Sequence, residues 1–180
     1  LVIENILAEQ LLLQQSAELA ADMLSTDEDY VLLSIGRFSH AKNFDNIPDI
    51  CSRLISSGLS IKWYLIGYGG DEMLIRQKIL ESKMQDHVFL LGKKENPYPY
   101  IKHCDLYVQP SRYEGKCVTV REAQTLGKPV VITRYATSAS QLEDGVDGVI
   151  VPMDNEGCAE GIAALLRDPA RTYQGTDHII

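Results

Sequence analysis

The chain has 180 residues, which is enough for one domain with a substantial hydrophobic core. Its hydrophobic content of 45% and its charged content of 23% are ordinary for a globular protein. The formal net charge of -8 argues against a nucleic-acid surface, and no apolar run approaches the roughly 18 residues that a membrane span needs. We therefore expect a cytoplasmic protein with no nucleic-acid partner.

Residues 1–29 are predicted to form a connector ahead of the main domain. Residues 1–6 have a β-like pattern, and residues 8–24 are rich in Leu, Ala, Gln and Glu, which favours a helix. One stripe of that helix would contain Leu12, Gln15, Leu19 and Met23. The chain opens on Leu1 without an initiator methionine or a signal-peptide pattern, so we expect it to be part of a longer protein.

From residue 30 onward, short apolar runs alternate with helical segments. Strands are predicted at 30–35, 60–66, 87–91, 104–108, 129–133 and 149–151. Helices are predicted at 44–57, 71–84, 97–103, 138–143 and 155–166. A further helix is predicted between the fourth and fifth strands, beginning within the stretch 111–124 and ending near Gly127. This alternation predicts an α/β fold, a Rossmann-like doubly wound parallel sheet over residues 30–169, with 170–180 as a truncated tail.

Two of these helices have a predicted core face. The helix at 44–57 would bury Phe44, Ile47, Ile50, Cys51, Leu54 and Ile55, with Pro48 in its first turn. The helix at 71–84 would bury Met73, Leu74, Ile79 and Leu80.

The stretch at 111–124 joins the strand at 104–108 to the next helix, through a glycine loop. An open α/β sheet binds its ligand outside the carboxyl ends of its strands, which is where this loop lies. The backbone N–H groups of residues 116–119 would lie at a helix N-terminus, where they lack intrahelical partners and suit a phosphate. Glu114 and Glu122 frame the loop, and their carboxylates suit sugar hydroxyl groups. The stretch predicts a nucleotide-sugar site; the alternative is a glycine turn with two surface charges.

A second polar stretch follows the strand at 30–35. Arg37 and Lys42 come after Gly36, ahead of the next helix. Fixed cations at a strand's carboxyl end can stabilise a nucleoside diphosphate leaving group without a metal ion. The alternative is one exposed arginine and one exposed lysine.

The glycines at 67–70 form the turn after the second strand. A dinucleotide fingerprint that began at Gly67 would need a glycine at position 72, which is Glu72, so we exclude NAD. The glycines either let a nucleotide approach the backbone or make a tight turn. In the loop after the third strand, Lys93 and Lys94 could face a phosphate or a ribose, but a solvated pair is favoured.

The four cysteines are scattered without a C-x-x-C pair, and the four histidines complete no metal-binding pattern. We expect reduced cysteines, most of them buried as small hydrophobic residues. Cys117 is an exception, because a helix N-terminus and Lys116 would both lower its thiol pKa. A catalytic thiol there is nevertheless disfavoured against a small residue at a tight turn.

Glu114-Gly115, followed by Glu122 after seven intervening residues, resembles the glutamate pair of retaining glycosyltransferases with two Rossmann-like domains (GT-B architecture, family 4 type). The resemblance runs from about residue 30 to about 169 and looks like the C-terminal, donor-binding half. It implies that Glu114 contacts the donor sugar, Glu122 the ribose, and Arg37 and Lys42 the diphosphate. The catalytic residues would be Glu114, Arg37 and Lys42. The donor site would comprise Gly36, Arg37, Lys42, Gly67, Glu114, Gly115, Lys116, Cys117, Val118, Thr119 and Glu122.

One departure from the family concerns this loop. Family members usually have an aromatic residue and a glycine after the first Glu-Gly, where this chain has Lys116 and Cys117. Lys116 would add positive charge for an acidic sugar or a tighter diphosphate grip.

The resemblance implies transfer of a hexose from a UDP- or GDP-linked sugar to a polysaccharide or glycolipid, without metal or cofactor. The acceptor, a glycan or lipid-linked sugar, would bind an N-terminal domain absent here, so this chain alone would bind donor weakly and transfer nothing. The full-length enzyme could associate peripherally with the inner membrane face. The alternatives are a GT-B nucleotide-sugar epimerase and a non-enzymatic α/β interaction module. A phospho-acceptor is disfavoured because its acids are missing at the strand ends, which are Gly36, Gly67, Gly92 and Gln109.

Overall fold

The structure is a computed structural model that describes residues 2–168, without side-chain detail for residues 2–5 and 7. The strands are β1 (Tyr30–Ile35), β2 (Ile61–Ile66), β3 (Val88–Gly92), β4 (Leu106–Gln109), β5 (Val130–Thr133) and β6 (Val149–Val151). The helices are α1 (Val2–Ser16), α2 (Ile47–Ser56), α3 (Glu72–Glu81), α4 (Tyr98–His103), α5 (Val118–Thr125), α6 (Ser138–Gln141) and α7 (Asn155–Arg167).

All six strands pair in parallel in one sheet, in the order β3-β2-β1-β4-β5-β6. The chain first moves outward from β1 through β2 to β3 and then returns to place β4 on the other side of β1. The loops after β1 and β4 therefore diverge at a topological switch point, where open α/β sheets bind ligands. The predicted Rossmann-like doubly wound parallel sheet is confirmed.

Helices cover both faces of the sheet, as the near-continuous apolar strands require. On one face, α2, α3 and α7 pack against alternate side chains of the strands, including the fully buried Trp63. The Trp63 indole N–H donates to Ser34 Oγ at 3.0 Å, and Ser34 donates to the carbonyl of Val108 at 2.6 Å. This chain of bonds ties three neighbouring strands together inside the core. The other face packs against α4, α5 and the connector.

The connector differs from its prediction. Residues 2–6 are helical, since they open α1, so the predicted strand there is wrong. The helix also ends at Ser16 instead of residue 24; Ser16 Oγ donates to the carbonyl of Leu13, inside the last turn. Of the predicted stripe, Leu12 and Met23 are buried, but Leu19 is 90% exposed. Met23 reaches the core from an irregular segment and not from a helix face.

The core face of α3 was predicted correctly only at Ile79. The buried residues are Ile75 and Ile79, one helical turn apart, whereas Met73, Leu74 and Leu80 are exposed. The helix packs chiefly against the 3-10 turn at Phe44–Asn46 and against α2, so only a narrow stripe is covered. By contrast, the face predicted for the preceding helix is confirmed, although its first turn is a separate 3-10 turn at Phe44–Asn46.

The division of the chain at residue 30 stays a prediction. In the structure α1 packs along α4, so the connector lies against the main sheet domain. The predicted tail at 170–180 lies outside the described residues.

Candidate functional site

The loops after β1 and β4 meet in the crevice at the switch point. The backbone N–H of Arg112 donates to the carbonyl of Ala41 at 2.8 Å. The side-chain amide of Asn43, a residue in the left-handed conformation at φ 62, donates to the carbonyl of Pro110 at 3.0 Å. Arg112 also binds both carboxylate oxygens of Asp45 at 3.1 Å. The two loops therefore form one connected wall.

This wall brings together two residues that were predicted separately. The Lys42 ammonium lies 2.5 Å from Glu114 Oε1, and the two side chains are only 21% and 8% exposed. Such a partly buried, hydrogen-bonded ion pair is held more firmly than a surface pair. The cation predicted for a diphosphate and the carboxylate predicted for a sugar thus lie within one hydrogen bond of each other.

Glu114 is held through one of its two carboxylate oxygens. Besides Lys42, Oε1 accepts from Ser111 Oγ at 2.6 Å and lies 3.4 Å from Gln109 Nε2. The Gln109 amide is oriented by the Tyr107 hydroxyl, which donates to Gln109 Oε1 at 2.7 Å. All three donors meet Oε1, and none of the hydrogen bonds within residues 2–168 reaches the second carboxylate oxygen. Tyr107, Gln109 and Ser111 are fully buried, and the sequence interpretation missed all three.

A signal for these three residues did exist in the sequence. Tyr107 and Gln109 stand two apart on one face of a strand that is otherwise apolar, which is unusual for a buried strand unless the polar groups are paired. Their partner Glu114 is five residues beyond Gln109.

Arg37 and Lys42 occupy different surroundings. Lys42 is half-buried in its ion pair, whereas Arg37 is exposed and its guanidinium lies 5.4 Å from the centre of the Tyr68 ring. The two cations therefore do not form a single cluster. An anion that binds both of them has to extend from Arg37, beside Tyr68, to Lys42, beside Glu114.

The predicted glycines have unlike roles. A Cβ atom on Gly67 would lie 1.9 Å from the carbonyl oxygen of Gly36, and one on Gly69 would lie 2.4 Å from that of Phe38. Both glycines have φ near +150, at 146 and 153. Of the two alternatives for Gly67, close packing of the turn is the one that the structure shows. Gly115, in contrast, has open space around it.

The start of α5 is less open to a phosphate than the sequence predicted. The helix begins at Val118 with Cys117 as its N-cap. The Cys117 backbone N–H donates to Gln141 Oε1 at 2.8 Å, and Gln141 Nε2 donates back to the Cys117 carbonyl at 3.2 Å. One of the four predicted backbone donors is therefore already engaged. Lys116 and Val118 are exposed, and Thr119 is partly exposed.

The predicted activation of Cys117 is wrong. Burial raises the pKa of its thiol, and this outweighs the nearby Lys42 charge and backbone N–H groups that act in the opposite direction. All four cysteines are free and buried, as small hydrophobic residues usually are.

Glu122 lies on α5 and interacts with an aromatic residue of α4. A hydrogen bond with Glu122, together with burial, raises the pKa of Tyr98 to about 12. Tyr98 is therefore neutral over the physiological range and can donate its hydroxyl proton to the carboxylate. The loop after β5 also reaches Glu114, because Thr137 Oγ1 donates to the Glu114 carbonyl at 2.7 Å.

Tyr135, in the same loop, is a further residue that sequence reasoning missed. Its side chain is 2% exposed, and its hydroxyl has no hydrogen-bond partner within residues 2–168. Burial raises the pKa of Tyr135, and the neighbouring Cys117 and Glu114 raise it further.

Two further features are absent from residues 2–168. Between residues 2 and 168, no three His, Cys, Asp or Glu side chains are grouped so that they could hold a metal ion. None of the described helices combines the length and the apolar character needed to cross a membrane.

The sequence model of the family described as glycosyl transferases group 1 matches residues 15–176 of this chain. The chain belongs to this family. A glycosyl transferase of Erwinia amylovora, the amylovoran biosynthesis glycosyltransferase AmsK, is 29% identical over 157 residues, which are 83% of this chain and 37% of AmsK. The poly(glycerol-phosphate) alpha-glucosyltransferase of Bacillus subtilis is 30% identical over 149 residues, which are 82% of this chain and 22% of that enzyme.

Solved structures have the same fold as this group 1 chain. A crystal structure of HepE from Anabaena in complex with UDP and glucose superimposes with a TM-score of 0.74 at 22% identity, over 81% of this chain and 41% of HepE. Sucrose-phosphate synthase from Thermosynechococcus elongatus superimposes with a TM-score of 0.73 at 23% identity, over 88% of this chain and 42% of that one. The chain spans less than half the length of each of these relatives.

Proposed function

We propose that this chain is the donor-binding domain of a retaining glycosyltransferase that transfers a hexose from a nucleoside diphosphate sugar to a polysaccharide or glycolipid. The observation that carries the proposal is the ion pair between Lys42 and Glu114 at the switch point. A cation for a phosphate and a carboxylate for a sugar hydroxyl are the two groups that such a donor needs side by side.

Donor binding exchanges partners around Lys42. The Lys42 ammonium moves its hydrogen bond from Glu114 to a diphosphate oxygen. Its positive charge, which Glu114 neutralises in the free protein, then neutralises the diphosphate. Glu114 remains anchored by Ser111 and Gln109, and its second oxygen accepts from a sugar hydroxyl. As the glycosidic bond breaks, Lys42 and Arg37 stabilise the charge that grows on the leaving diphosphate.

The remaining donor contacts follow from position. Val118 and Thr119, in the first turn of α5, supply backbone N–H groups for the phosphates, while Gly115 keeps the approach open and Gly36 leaves room for the Lys42 side chain, which would lie 3.2 Å from a Cβ atom there. Glu122 accepts from the ribose hydroxyl groups. The two cations take over the part of a metal ion, so we propose a metal-independent reaction without a cofactor.

The base of the donor is proposed to be uracil, because the relative HepE was solved with UDP and glucose. The acceptor, a glycan or a lipid-linked sugar, would bind a second domain across the crevice, since relatives such as AmsK are longer than this chain. We place the reaction in the cytoplasm, with peripheral attachment to the membrane where the acceptor is lipid-linked.

The test is a calorimetric titration of the 180-residue chain with UDP, GDP, ADP and their glucose conjugates. Lys42→Gln is expected to weaken binding of the preferred nucleotide by roughly tenfold, because it removes a charge-assisted hydrogen bond. Glu122→Ala is expected to weaken it by a similar factor. Arg53→Gln is the matched control, because Arg53 forms a surface pair with Asp49 on α2, away from the crevice. Failure of the unsubstituted chain to bind any nucleotide, in the presence or absence of a divalent ion, would overturn the proposal.

A further inference from the structure

Three residues form a row along the carboxyl edge of the sheet. Arg37 follows β1, Tyr68 follows β2 and Lys93 follows β3, so their order matches the order of neighbouring strands. The Tyr68 ring is 49% exposed. The Arg37 guanidinium lies 5.4 Å and the Lys93 ammonium 5.2 Å from the centre of that same ring.

The two cations in this row have no carboxylate partner within residues 2–168. Other described lysines and arginines also lack such a partner, so what sets Arg37 and Lys93 apart is the aromatic ring that both of them contact. Two like charges repel each other when they share one ring. They lower their energy when an anion lies between them, so the row is arranged for an anionic ligand.

The next residue, Lys94, does not belong to this row. Lys94 turns away from the crevice, lies 2.6 Å from Asp22 and contacts the Tyr100 ring at 5.5 Å. Lys94 therefore fastens the connector to the sheet domain. The two lysines are adjacent in sequence but only Lys93 faces the row.

We propose that Lys93 is a further donor-contacting residue, which binds a phosphate oxygen of the nucleoside diphosphate together with Arg37, while the Tyr68 ring orients both cations. The inference rests on the proposed function and adds a third cation to the donor site. It replaces the sequence-based preference for a solvated lysine pair.

The three cations then act at different stages of binding. Arg37 and Lys93 are unpaired and exposed, so an arriving diphosphate meets their charges first. Lys42 contributes only after it has left Glu114. A substitution of Lys93 is therefore expected to weaken the binding of the nucleoside diphosphate and of its sugar conjugate by the same factor. The reason is that in this proposal Lys93 contacts the diphosphate and not the sugar.

The experiment compares Lys93→Gln with its neighbour Lys94→Gln in the 180-residue chain, titrated with UDP, GDP and ADP at two salt concentrations. For the nucleotide that the unsubstituted chain binds, Lys93→Gln should weaken affinity by about three- to tenfold and flatten its salt dependence, as expected for one lost phosphate contact. Lys94→Gln should change affinity by less than about twofold, since its charge is already neutralised by a surface pair. Thermal unfolding of each variant checks that the fold is intact.

Two variants of Tyr68 test the orienting ring. Tyr68→Phe keeps the aromatic face and should bind as the unsubstituted chain does, whereas Tyr68→Leu should weaken binding nearly as much as Lys93→Gln. Nucleotide binding that is equal in Lys93→Gln and Lys94→Gln would overturn this inference and leave the proposed function standing. Absence of nucleotide binding in the unsubstituted chain would overturn both.

Discussion

Two loops that form the crevice are held in place by different means. The turn after β2 is fixed by its backbone: Gly67 and Gly69 press against the carbonyl groups of Gly36 and Phe38, and the Phe38 N–H donates to the Tyr68 carbonyl at 2.7 Å. The loop after β4 is fixed by side chains, because Ser111 and its neighbours bind Glu114 while Gly115 has open space around it.

The difference explains where each loop tolerates change. In the backbone-fixed turn no Cβ atom fits at Gly67 or Gly69, yet the exposed side chain of Tyr68 is free to vary without loss of the turn. In the side-chain-fixed loop the polar residues hold Glu114 in position, while Gly115 is not needed for folding. A glycine that folding does not need is more informative about ligand approach than one that the turn requires.

The largest effect is expected for a glycine of the backbone-fixed turn. Gly69→Ala should destabilise the chain by about 3–5 kcal/mol, because the new Cβ atom overlaps the Phe38 carbonyl and the residue has φ 153. Gly70→Ala, one position on, meets no atom within 4 Å and should change stability by less than about 0.5 kcal/mol. Urea unfolding of both variants measures the difference; equal stabilities would mean that the turn can shift as a unit.

A smaller effect is expected for the side-chain-fixed loop. Ser111→Ala should cost about 1–3 kcal/mol, because it leaves the buried Gln109 amide and Glu114 each without one hydrogen-bond partner. It should also reduce the difference in affinity between a nucleotide-sugar and its nucleoside diphosphate, because Glu114 loses the hydrogen bond from Ser111. Ser57→Ala is the matched control, because Ser57 is exposed at the end of α2. An unchanged preference for the sugar conjugate would show that Ser111 does not position Glu114.

Thiol reactivity compares how readily the side-chain-fixed loop and the core open. Cys117 ends that loop, whereas Cys51 lies on the core face of α2, where burial raises its pKa to about 12. Both should react with iodoacetamide at pH 8 far more slowly than in the unfolded chain, with Cys117 first. Mass mapping of the alkylated peptides gives the order, and earlier labelling of Cys51 would contradict it.

The same thiols set a dependence on alkaline pH. Burial raises the pKa of Cys104 and Cys158 to about 12 as well, above the value of 9.0 for a free thiol. The unfolded chain therefore loses protons that the folded chain retains, so stability is full below pH 9 and falls as the pH rises from 9 toward 12. Urea midpoints at pH 8 and pH 10 measure this fall, and an equal midpoint at both would show that the core admits thiolates.

The smallest effect on stability is expected at Gly115. Gly115→Ala should leave the unfolding free energy within about 0.5 kcal/mol, since the added methyl group meets no atom within 4 Å. If the donor passes over this backbone, the same variant should bind nucleotide-sugar less tightly. A substantial loss of stability would show that the loop is fixed by its backbone after all.

The strands were predictable because each is a mostly apolar run, and five of the six end on a glycine or directly before a glycine or proline, which is a local signal. The faces of α1 and α3 were not, since which side of a helix is buried depends on the elements that pack against it, which are α4 for α1 and chiefly α2 and the 3-10 turn at Phe44–Asn46 for α3. Arg37, Lys42 and Glu114 were recognised as separate residues. That Lys42 and Glu114 are bonded follows from β4 lying beside β1, an adjacency that chain order does not reveal.

Other parts of the site could not be predicted from short sequence patterns. The role of Gly67 depends on the carbonyl of Gly36, thirty-one positions earlier in the sequence. Gln109 was treated as a strand end, because a buried glutamine is recognisable only from its partners. Gln141, which occupies the Cys117 N–H, comes from a helix of four residues with no distinctive sequence.

The bonds that join the loops after β1 and β4 connect distant parts of the chain. The Lys42 bond to Glu114 and the Arg112 bond to the carbonyl of His40 each span 72 positions, and in the core beneath them the Ser34 bond to the carbonyl of Val108 spans 74. The strands β2, β3 and β4 and the helices α2, α3 and α4 lie between Lys42 and Glu114, so the chain must pass through all of them before it can complete the site. A nascent chain that has not yet reached β4 carries its cations with no carboxylate to meet them. Assembly of the crevice is therefore a late event, and nucleotide binding should report on completed folding.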